Sequence, residues 1–189
     1  MQGSTKKLHP FVTDHSTNRK VKPMKKIRIL FVVLIVVTLF ITTSVASASP
    51  PDQRNFAAPL SGRQEVPVRD TNGTGVATFK LNKEGTALSF KLIVANIDGV
   101  TQAHIHCGAE GVNGPVVAFL FGFVAEGVTV NGVLAEGTIT TVIPRAPSPE
   151  CPEGVANFED LLERMRSGDT YVNVHTLEFP PGEIRGQIK

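Results

Sequence analysis

The sequence predicts an all-β domain, an antiparallel Greek-key β-sandwich with one short helix before the last two strands. Short segments in which apolar and polar residues alternate recur between turn residues, which is the pattern of half-buried strands. Only residues 157–168 have apolar side chains at helical spacing. The 141 residues after position 48 suffice for one domain with its own core.

A secretory signal peptide is predicted over residues 24–48. A basic stretch comes first, an apolar run follows at 29–41, and Ala46-Ser47-Ala48 has the small residues of a cleavage site. The apolar run is shorter than the ~20 residues that span a bilayer, so an uncleaved membrane anchor is the alternative. We expect the domain to be secreted or held at the extracytoplasmic cell surface.

The remaining segments divide the chain simply. Residues 1–23 are interpreted as a disordered extension or a mis-assigned start upstream of Met24, 49–55 as a linker, and 56–189 as one domain. The whole chain has a formal charge of +2, but residues 1–48 hold eight of its 19 Lys and Arg and one of its 17 acids. The remainder is therefore at −5, without the basic patch that nucleic-acid binding requires.

The first predicted strands are Phe56–Leu60, Gly75–Leu81 and Thr86–Val94. We expect the first at an edge of the sheet, because Pro59 lacks the N–H that a central strand needs. The other two alternate cleanly and flank Asn82-Lys83-Glu84-Gly85, which predicts a hairpin.

Three more strands are predicted from apolar runs between turn residues. Pro115–Phe121 is continuously apolar and short enough for a buried strand. Val124–Val130 and Val133–Ile143 flank Asn131-Gly132, which favours a second hairpin.

The helix is predicted to begin after Asn157, a favourable N-cap, and to end at Gly168. Its apolar stripe should dock on the sheet. Two strands close the chain, Thr170–Thr176 and Glu183–Ile188, joined by a connection that is rich in proline and glycine.

The chain has two cysteines, Cys107 and Cys151. Because an export signal precedes them, we expect a disulfide between them, and unlinked thiols are the alternative. The bond would hold the proline-rich loop 144–154 beside the strand that contains Cys107.

All three histidines of the predicted domain lie on strands. His104 and His106 are two residues apart, so they share a face, opposite to that of Ala103, Ile105 and Cys107. In the same way His175 shares the outward face of its strand with Tyr171 and Asn173, while the valines between them face the core.

Five sequence blocks occur in an order that resembles the CHRD domain, a module named for its repeats in the developmental antagonist chordin. They are Leu60–Pro67, Ala103–His106, Gly111–Val117, Tyr171–Thr176 and Gly182–Gln187. The resemblance covers about residues 56–189 and implies a β-sandwich in an extracellular setting. It implies no reaction, and growth-factor antagonism is not carried over, because no residue motif for it is identified.

The histidines carry a second resemblance. A His-x-His strand with a distant strand histidine is similar to the copper side of copper–zinc superoxide dismutases, and the predicted sandwich resembles those proteins and immunoglobulin domains. His104, His106 and His175 are therefore candidate ligands of one copper or zinc ion. The sequence departs from the dismutases, with no fourth copper histidine, bridging histidine or zinc loop, so dismutase activity is not expected. Alternatively, the histidines are polar strand faces that bind nothing.

Around these ligands we expect a supporting shell of Glu183, Arg185 and Asn173. Pairing of the last two strands should place His175 near Glu183 and Asn173 near Arg185. The ring nitrogens of the three histidines should then lie within about 5 Å of one another. The alternative is that Glu65, Glu183 and Arg185 form a surface ion pair and that Tyr171 and Asn173 have no partner.

Motifs for catalysis are not found: the sequence shows no nucleophile elbow, phosphate loop or Cys–His dyad. The leading hypothesis is a secreted, non-enzymatic CHRD-type module with an unidentified extracellular partner. The alternative is a metal-binding or redox protein that uses the three histidines and one copper or zinc ion. Nucleic acid is not an expected partner, and a membrane is one only if the leader stays uncleaved.

Overall fold

The computed structural model describes residues 52–189, so the predicted extension at 1–23 and signal peptide at 24–48 lie outside the described residues. The described part contains eight β-strands and one α-helix. They are β1 (Asn55–Ser61), β2 (Thr74–Leu81), β3 (Leu88–Ala95), β4 (Val100–Cys107), β5 (Val116–Phe121), β6 (Gly132–Ile139), α1 (Phe158–Ser167), β7 (Thr170–Thr176) and β8 (Ile184–Gln187). A single turn of 3-10 helix, Gly62–Gln64, follows β1.

The strands pair antiparallel in one sheet with the order β5-β4-β7-β8-β1-β2-β3-β6. Its two end strands approach each other, because the chain beyond β6 runs beside β5. There the Ile143 N–H donates to the Val117 carbonyl at 2.8 Å, so the sheet is nearly closed. The all-β class, the antiparallel pairing and the helix before the last two strands are confirmed. The Greek-key sandwich stays a prediction.

The prediction that the first strand lies at an edge is wrong. β1 pairs with β2 along its whole length and meets β8 at Ser61 and Arg185. Ala57 also exchanges two backbone hydrogen bonds with Lys189. Residues two apart in a strand direct their backbone groups the same way, so the nitrogen of Pro59 faces β8 between the contacts at Ala57 and Ser61. Proline has no N–H to donate there. The proline is tolerated where the ladder is interrupted.

The predicted strand Val124–Val130 is also wrong. Within this segment the β-bridge is a single one, from Val128 to Val100. Asn131-Gly132 is therefore not a hairpin turn, and β6 ends at Ile139 instead of Ile143. The alternating valines that suggested a strand, Val128 and Val130, pack against the core from an irregular connection.

The ends of the helix are as predicted. The Asn157 side chain accepts from the Asp160 N–H, and the Asp160 carboxylate accepts from the Asn157 N–H, which forms a capping box. Gly168 closes the helix with a φ of 78°, a left-handed conformation that glycine adopts without strain. The apolar stripe, Leu161, Leu162 and Met165, is buried in the core.

The disulfide is confirmed. Cys107 on β4 is bonded to Cys151 with the Cα atoms 5.6 Å apart, and both cysteines belong to the apolar core. The bond holds the loop 144–154 against the inner side of β4. Over residues 52–189 no helix has the length and apolar character that crossing a membrane requires.

Candidate metal centre

Three neighbouring strands present a grid of polar side chains on one face. The registers of β4 with β7 and of β7 with β8 set His104 opposite Asn173 opposite Arg185, and His106 opposite Tyr171 opposite Gln187. Gln102 lies opposite His175 in the next row, and Glu183 immediately precedes β8. The predicted pairing of Asn173 with Arg185 is confirmed.

The outward direction of these side chains suggested that the polar face would be exposed, but it is buried. Every residue of β7 is buried, and His104 and His175 are only 4% and 7% exposed. Loops cover the grid because its side chains bind their backbone groups: the Arg185 guanidinium donates to the Val112 carbonyl at 2.9 Å, and His175 Nδ1 lies 2.8 Å from the Pro180 carbonyl. Alternation gives the side of the sheet on which a residue lies but not its depth.

The three histidines converge on this face. One ring nitrogen from each of His104, His106 and His175 lies within 4.8 Å of the other two, inside the expected limit of about 5 Å. His104 Nδ1 is 3.0 Å from His175 Nε2, which is a hydrogen-bond distance between the two rings. Adjacent ligand atoms around a tetrahedral ion with ~2.05 Å bonds are ~3.4 Å apart, so a pair at the 4.8 Å limit must close by about 1.4 Å for both atoms to bind one ion.

Backbone carbonyls determine which ring nitrogens carry protons. His106 Nδ1 lies 2.8 Å from the Gly114 carbonyl and His175 Nδ1 lies 2.8 Å from the Pro180 carbonyl. A carbonyl only accepts, so both rings carry their proton on Nδ1 and present a bare Nε2. His104 Nδ1 then donates to His175 Nε2, which leaves Nε2 of His104 bare as well. The buried Nε2 atoms of His104 and His106 have no hydrogen-bond partner.

Burial keeps all three rings uncharged. Desolvation lowers the pKa of His104 to about 3, with further contributions from His175 and His106. Desolvation likewise lowers the pKa of His106 to about 4 and that of His175 below its usual value. Neutral imidazole is the form that binds metal ions, so the cluster is ready to ligate at neutral pH.

Phe119 covers the outer side of the cluster. It lies opposite His104 in the register of β4 and β5, and its ring meets the His104 ring edge-on with the centroids 4.5 Å apart. Phe119 itself is 53% exposed. An aromatic ring therefore separates His104 from solvent, a neighbour that the sequence analysis did not identify.

The carboxylate support expected for His175 is not the contact observed. Glu183 accepts from the hydroxyls of Thr71 and Thr176, at 2.6 Å and 2.8 Å, and the carbonyl of Pro180 binds the imidazole instead. The connection before β8 curls back over His175, so its backbone reaches the ring before the Glu183 side chain can.

Arg185 and Asn173 support the site through other groups. Asn173 donates to the Glu65 carboxylate at 2.8 Å, and burial raises the pKa of Glu65 to about 7, against the opposing effects of Arg185 and Arg69. Arg185 is 1% exposed and donates to Asn113 Oδ1 and two carbonyls of loop 108–114. The alternative of a surface ion pair between these charged residues is wrong, because all are buried and bound to other partners.

A stack of three planar groups joins Arg185 to the cluster. Its guanidinium carbon lies 3.4 Å from the centroid of the Tyr171 ring, and that ring is stacked on His106 at 4.8 Å and 12°. The Tyr171 hydroxyl accepts from the Gly114 N–H at 3.0 Å, and the carbonyl of Gly114 binds His106. The sequence block Gly111–Val117 contains Gly114, but only the folded structure shows that this glycine orients His106.

Comparisons with known proteins agree with the residue pattern. The family model of the CHRD domain matches residues 56–188. A curated relative, the methionyl-tRNA formyltransferase of Saccharopolyspora erythraea, is 28% identical over 129 residues, 68% of this chain. The match spans only 38% of that relative's length. No solved structure matches the chain.

Proposed function

This chain belongs to the CHRD domain family, and we propose that it is an extracellular, non-enzymatic binding module. We further propose, from the geometry of the histidine cluster, that it holds one copper or zinc ion through His104, His106 and His175. The disulfide from Cys107 to Cys151 supports the extracellular setting, because such bonds form in oxidising compartments. The nearly closed antiparallel sheet is compatible with a Greek-key sandwich of the superoxide-dismutase type, which we propose as the finer description of the fold.

The observation that carries the metal proposal is the pair of unpartnered nitrogens. Nε2 of His104 and Nε2 of His106 are buried without a hydrogen bond, although buried polar atoms almost always have a partner. Both belong to rings that converge within 4.8 Å. A cation bound between the rings would satisfy such lone pairs.

The surroundings of the cluster support the same conclusion. Ligand histidines typically donate their second N–H to a carbonyl or carboxylate, which fixes the ring and its tautomer. The Gly114 and Pro180 carbonyls do this for His106 and His175. Imidazole suits both copper and zinc. Three protein ligands leave a coordination position free for water or a small ligand.

A second candidate is the same extracellular module without a metal, in which the histidines are a structural network. One observation favours it: four of the six ring nitrogens already have a hydrogen-bond partner within the protein. In this case the binding surface for the extracellular partner lies elsewhere on the domain.

Metal content separates the two candidates. The full-length protein, equilibrated with Zn²⁺ or Cu²⁺ and freed of unbound metal, should hold about one ion per chain by elemental analysis, since the three ligands form one site. The His106→Gln variant should lose it while circular dichroism shows an unchanged fold. Gln102→Ala is the matched control and should keep the ion, because it changes the same face of β4 beside His175 without removing an imidazole.

Intrinsic fluorescence supplies a second readout from within the site. The chain has one tyrosine and no tryptophan, and Tyr171 stacks on His106. Cu²⁺ in the cluster should quench this emission, whereas Zn²⁺, which has a filled d shell, should not. Absence of bound metal, or an equal amount of it in the His106→Gln variant, would contradict the metal site and leave the module without a metal.

A further inference from the structure

Two positive charges lie near the cluster, the guanidinium groups of Arg145 and Arg185. Both disfavour a cation bound at His106. Arg145 is held by the carbonyl of Val116, the register partner of His106 on β5. Arg185 lies one ring away, on the far side of Tyr171.

Neither nearby carboxylate offers an oxygen to the cluster as a ligand. Glu65 is bound to Asn173, and burial raises its pKa to about 7, so a large part of it is neutral at neutral pH. Glu183 is bound to Thr71 and Thr176. Among the described residues the cluster contains three histidines and no acidic ligand.

The cluster is also poorly solvated. Phe119 covers His104 edge-on, and His104 and His175 are buried. Water can therefore do little to screen a charge placed between the rings, and the free-energy cost of removing an ion from water rises with the square of its charge. A divalent ion is affected more strongly than a monovalent one by both the desolvation and the two arginines.

We propose that the three-histidine cluster selects monovalent copper over the divalent ions Cu²⁺ and Zn²⁺. This inference rests on the metal-binding function proposed above and names the ion. Three neutral imidazoles can complete the coordination of Cu⁺, which is stable with three ligands. Zn²⁺ on three protein ligands needs a water as its fourth ligand, and the buried cluster is poorly solvated. Because Cu⁺ is bound more tightly than Cu²⁺, the reduction potential of the bound copper is raised.

Binding constants for the three ions test the proposal. For the full-length protein, Cu⁺ affinity is measured anaerobically in ascorbate by competition with bathocuproine disulfonate. Cu²⁺ affinity is measured from quenching of Tyr171, and Zn²⁺ affinity by competition with a zinc-sensitive dye. We expect Cu⁺ to bind at least about tenfold more tightly than either divalent ion, which for the copper couple is a rise in potential of about 59 mV.

A matched pair of variants at Phe119 tests the electrostatic cause. Phe119→Glu places a carboxylate beside His104, whereas Phe119→Gln changes shape similarly without the charge. Phe119 is half-exposed, so both variants should fold. We expect the preference for Cu⁺ over Cu²⁺ to be about tenfold smaller in the Glu variant than in the Gln variant, because a negative charge favours the divalent ion.

The possible results distinguish failure of the ion selectivity, of its electrostatic cause and of the metal site itself. Tighter binding of Zn²⁺ or Cu²⁺ than of Cu⁺ to the wild-type protein would overturn the inference and leave the metal site standing. Equal preferences in the Glu and Gln variants would overturn the electrostatic cause. If none of the three ions binds, the proposed metal function itself fails.

Discussion

Strand β7 is buried on both faces, and the two faces are held in different ways. Val172 and Val174 are fully buried in the apolar core beside Ile105 of β4. Asn173 and His175, on the other face, are nearly as buried but are covered by loops and bound through hydrogen bonds. Equal depth therefore arises from close packing on one side and from directional polar contacts on the other.

The two faces differ in whether they contain unsatisfied groups that a ligand can bind. An apolar face is satisfied once its volume is filled, so all of its contacts serve stability. A buried polar face must pair every donor and acceptor, and an unpaired atom costs about 1–3 kcal/mol. The bare nitrogens of His104 and His106 are such atoms. A ligand that binds them would recover part of that cost.

The largest effect is expected from adjacent substitutions on the two faces of β4. Ile105→Ala should lower the free energy of unfolding by about 4 kcal/mol, because it leaves a cavity in the enclosed core. His104→Ala in the metal-free protein should cost only about 1 kcal/mol, since the lost hydrogen bond to His175 is partly offset by removal of an unpaired nitrogen. Urea denaturation measures both. Equal losses would show that the polar face is as important for stability as the apolar one.

The second-largest effect is expected from acidification, which should destabilise the polar face. The unfolded chain takes up protons on His104, His106 and His175 below the unfolded pKa of about 6.5, whereas the folded pKa values of the first two are about 3 and about 4. Their contribution to stability is therefore present above about pH 6.5 and is lost as the pH falls toward 4. We expect the metal-free protein to lose about 2–3 kcal/mol of unfolding free energy between pH 7 and 5.

Protonation of Glu65 opposes this loss of stability, so a Glu65 variant provides a second test of the pH dependence. Its folded pKa of about 7 lies above the unfolded 4.5, so its contribution is present below about pH 4.5 and is lost as the pH rises through 7. The Glu65→Gln variant should therefore lose more stability on acidification than the wild-type protein. An unchanged or shallower pH profile in urea denaturation would contradict the assignment of Glu65 as a group that is protonated in the folded state.

The smallest effect is expected at Glu183, which separates the observed role of this carboxylate from the role predicted by sequence. Glu183→Gln should cost about 1 kcal/mol, because the amide replaces one of two oxygens that accept from Thr71 and Thr176. Metal affinity should change by less than about tenfold, since Pro180 and not Glu183 binds His175. A tenfold or greater loss of affinity in metal titration would restore Glu183 as a support of the imidazole.

The sequence predicts structure well where the cause is local. The hairpin from β2 to β3, the caps of α1 at Asn157 and Gly168, and the side of the sheet to which each histidine belongs all follow from turn residues and alternation. Prediction is wrong where distant pairing decides the structure. Pro59 lies in an interior strand because β8 pairs with β1 only on either side of it.

For the candidate site, the sequence by itself determines the three ring types, their common side of the sheet and the disulfide partners. The tertiary structure decides what covers them. Loop 108–114 folds back over His106 because Arg185 binds its carbonyls, and Pro180 rather than Glu183 reaches His175. Strand alternation is a property of neighbouring residues, whereas burial, protonation and the unpartnered nitrogens depend on loops brought together from distant parts of the chain.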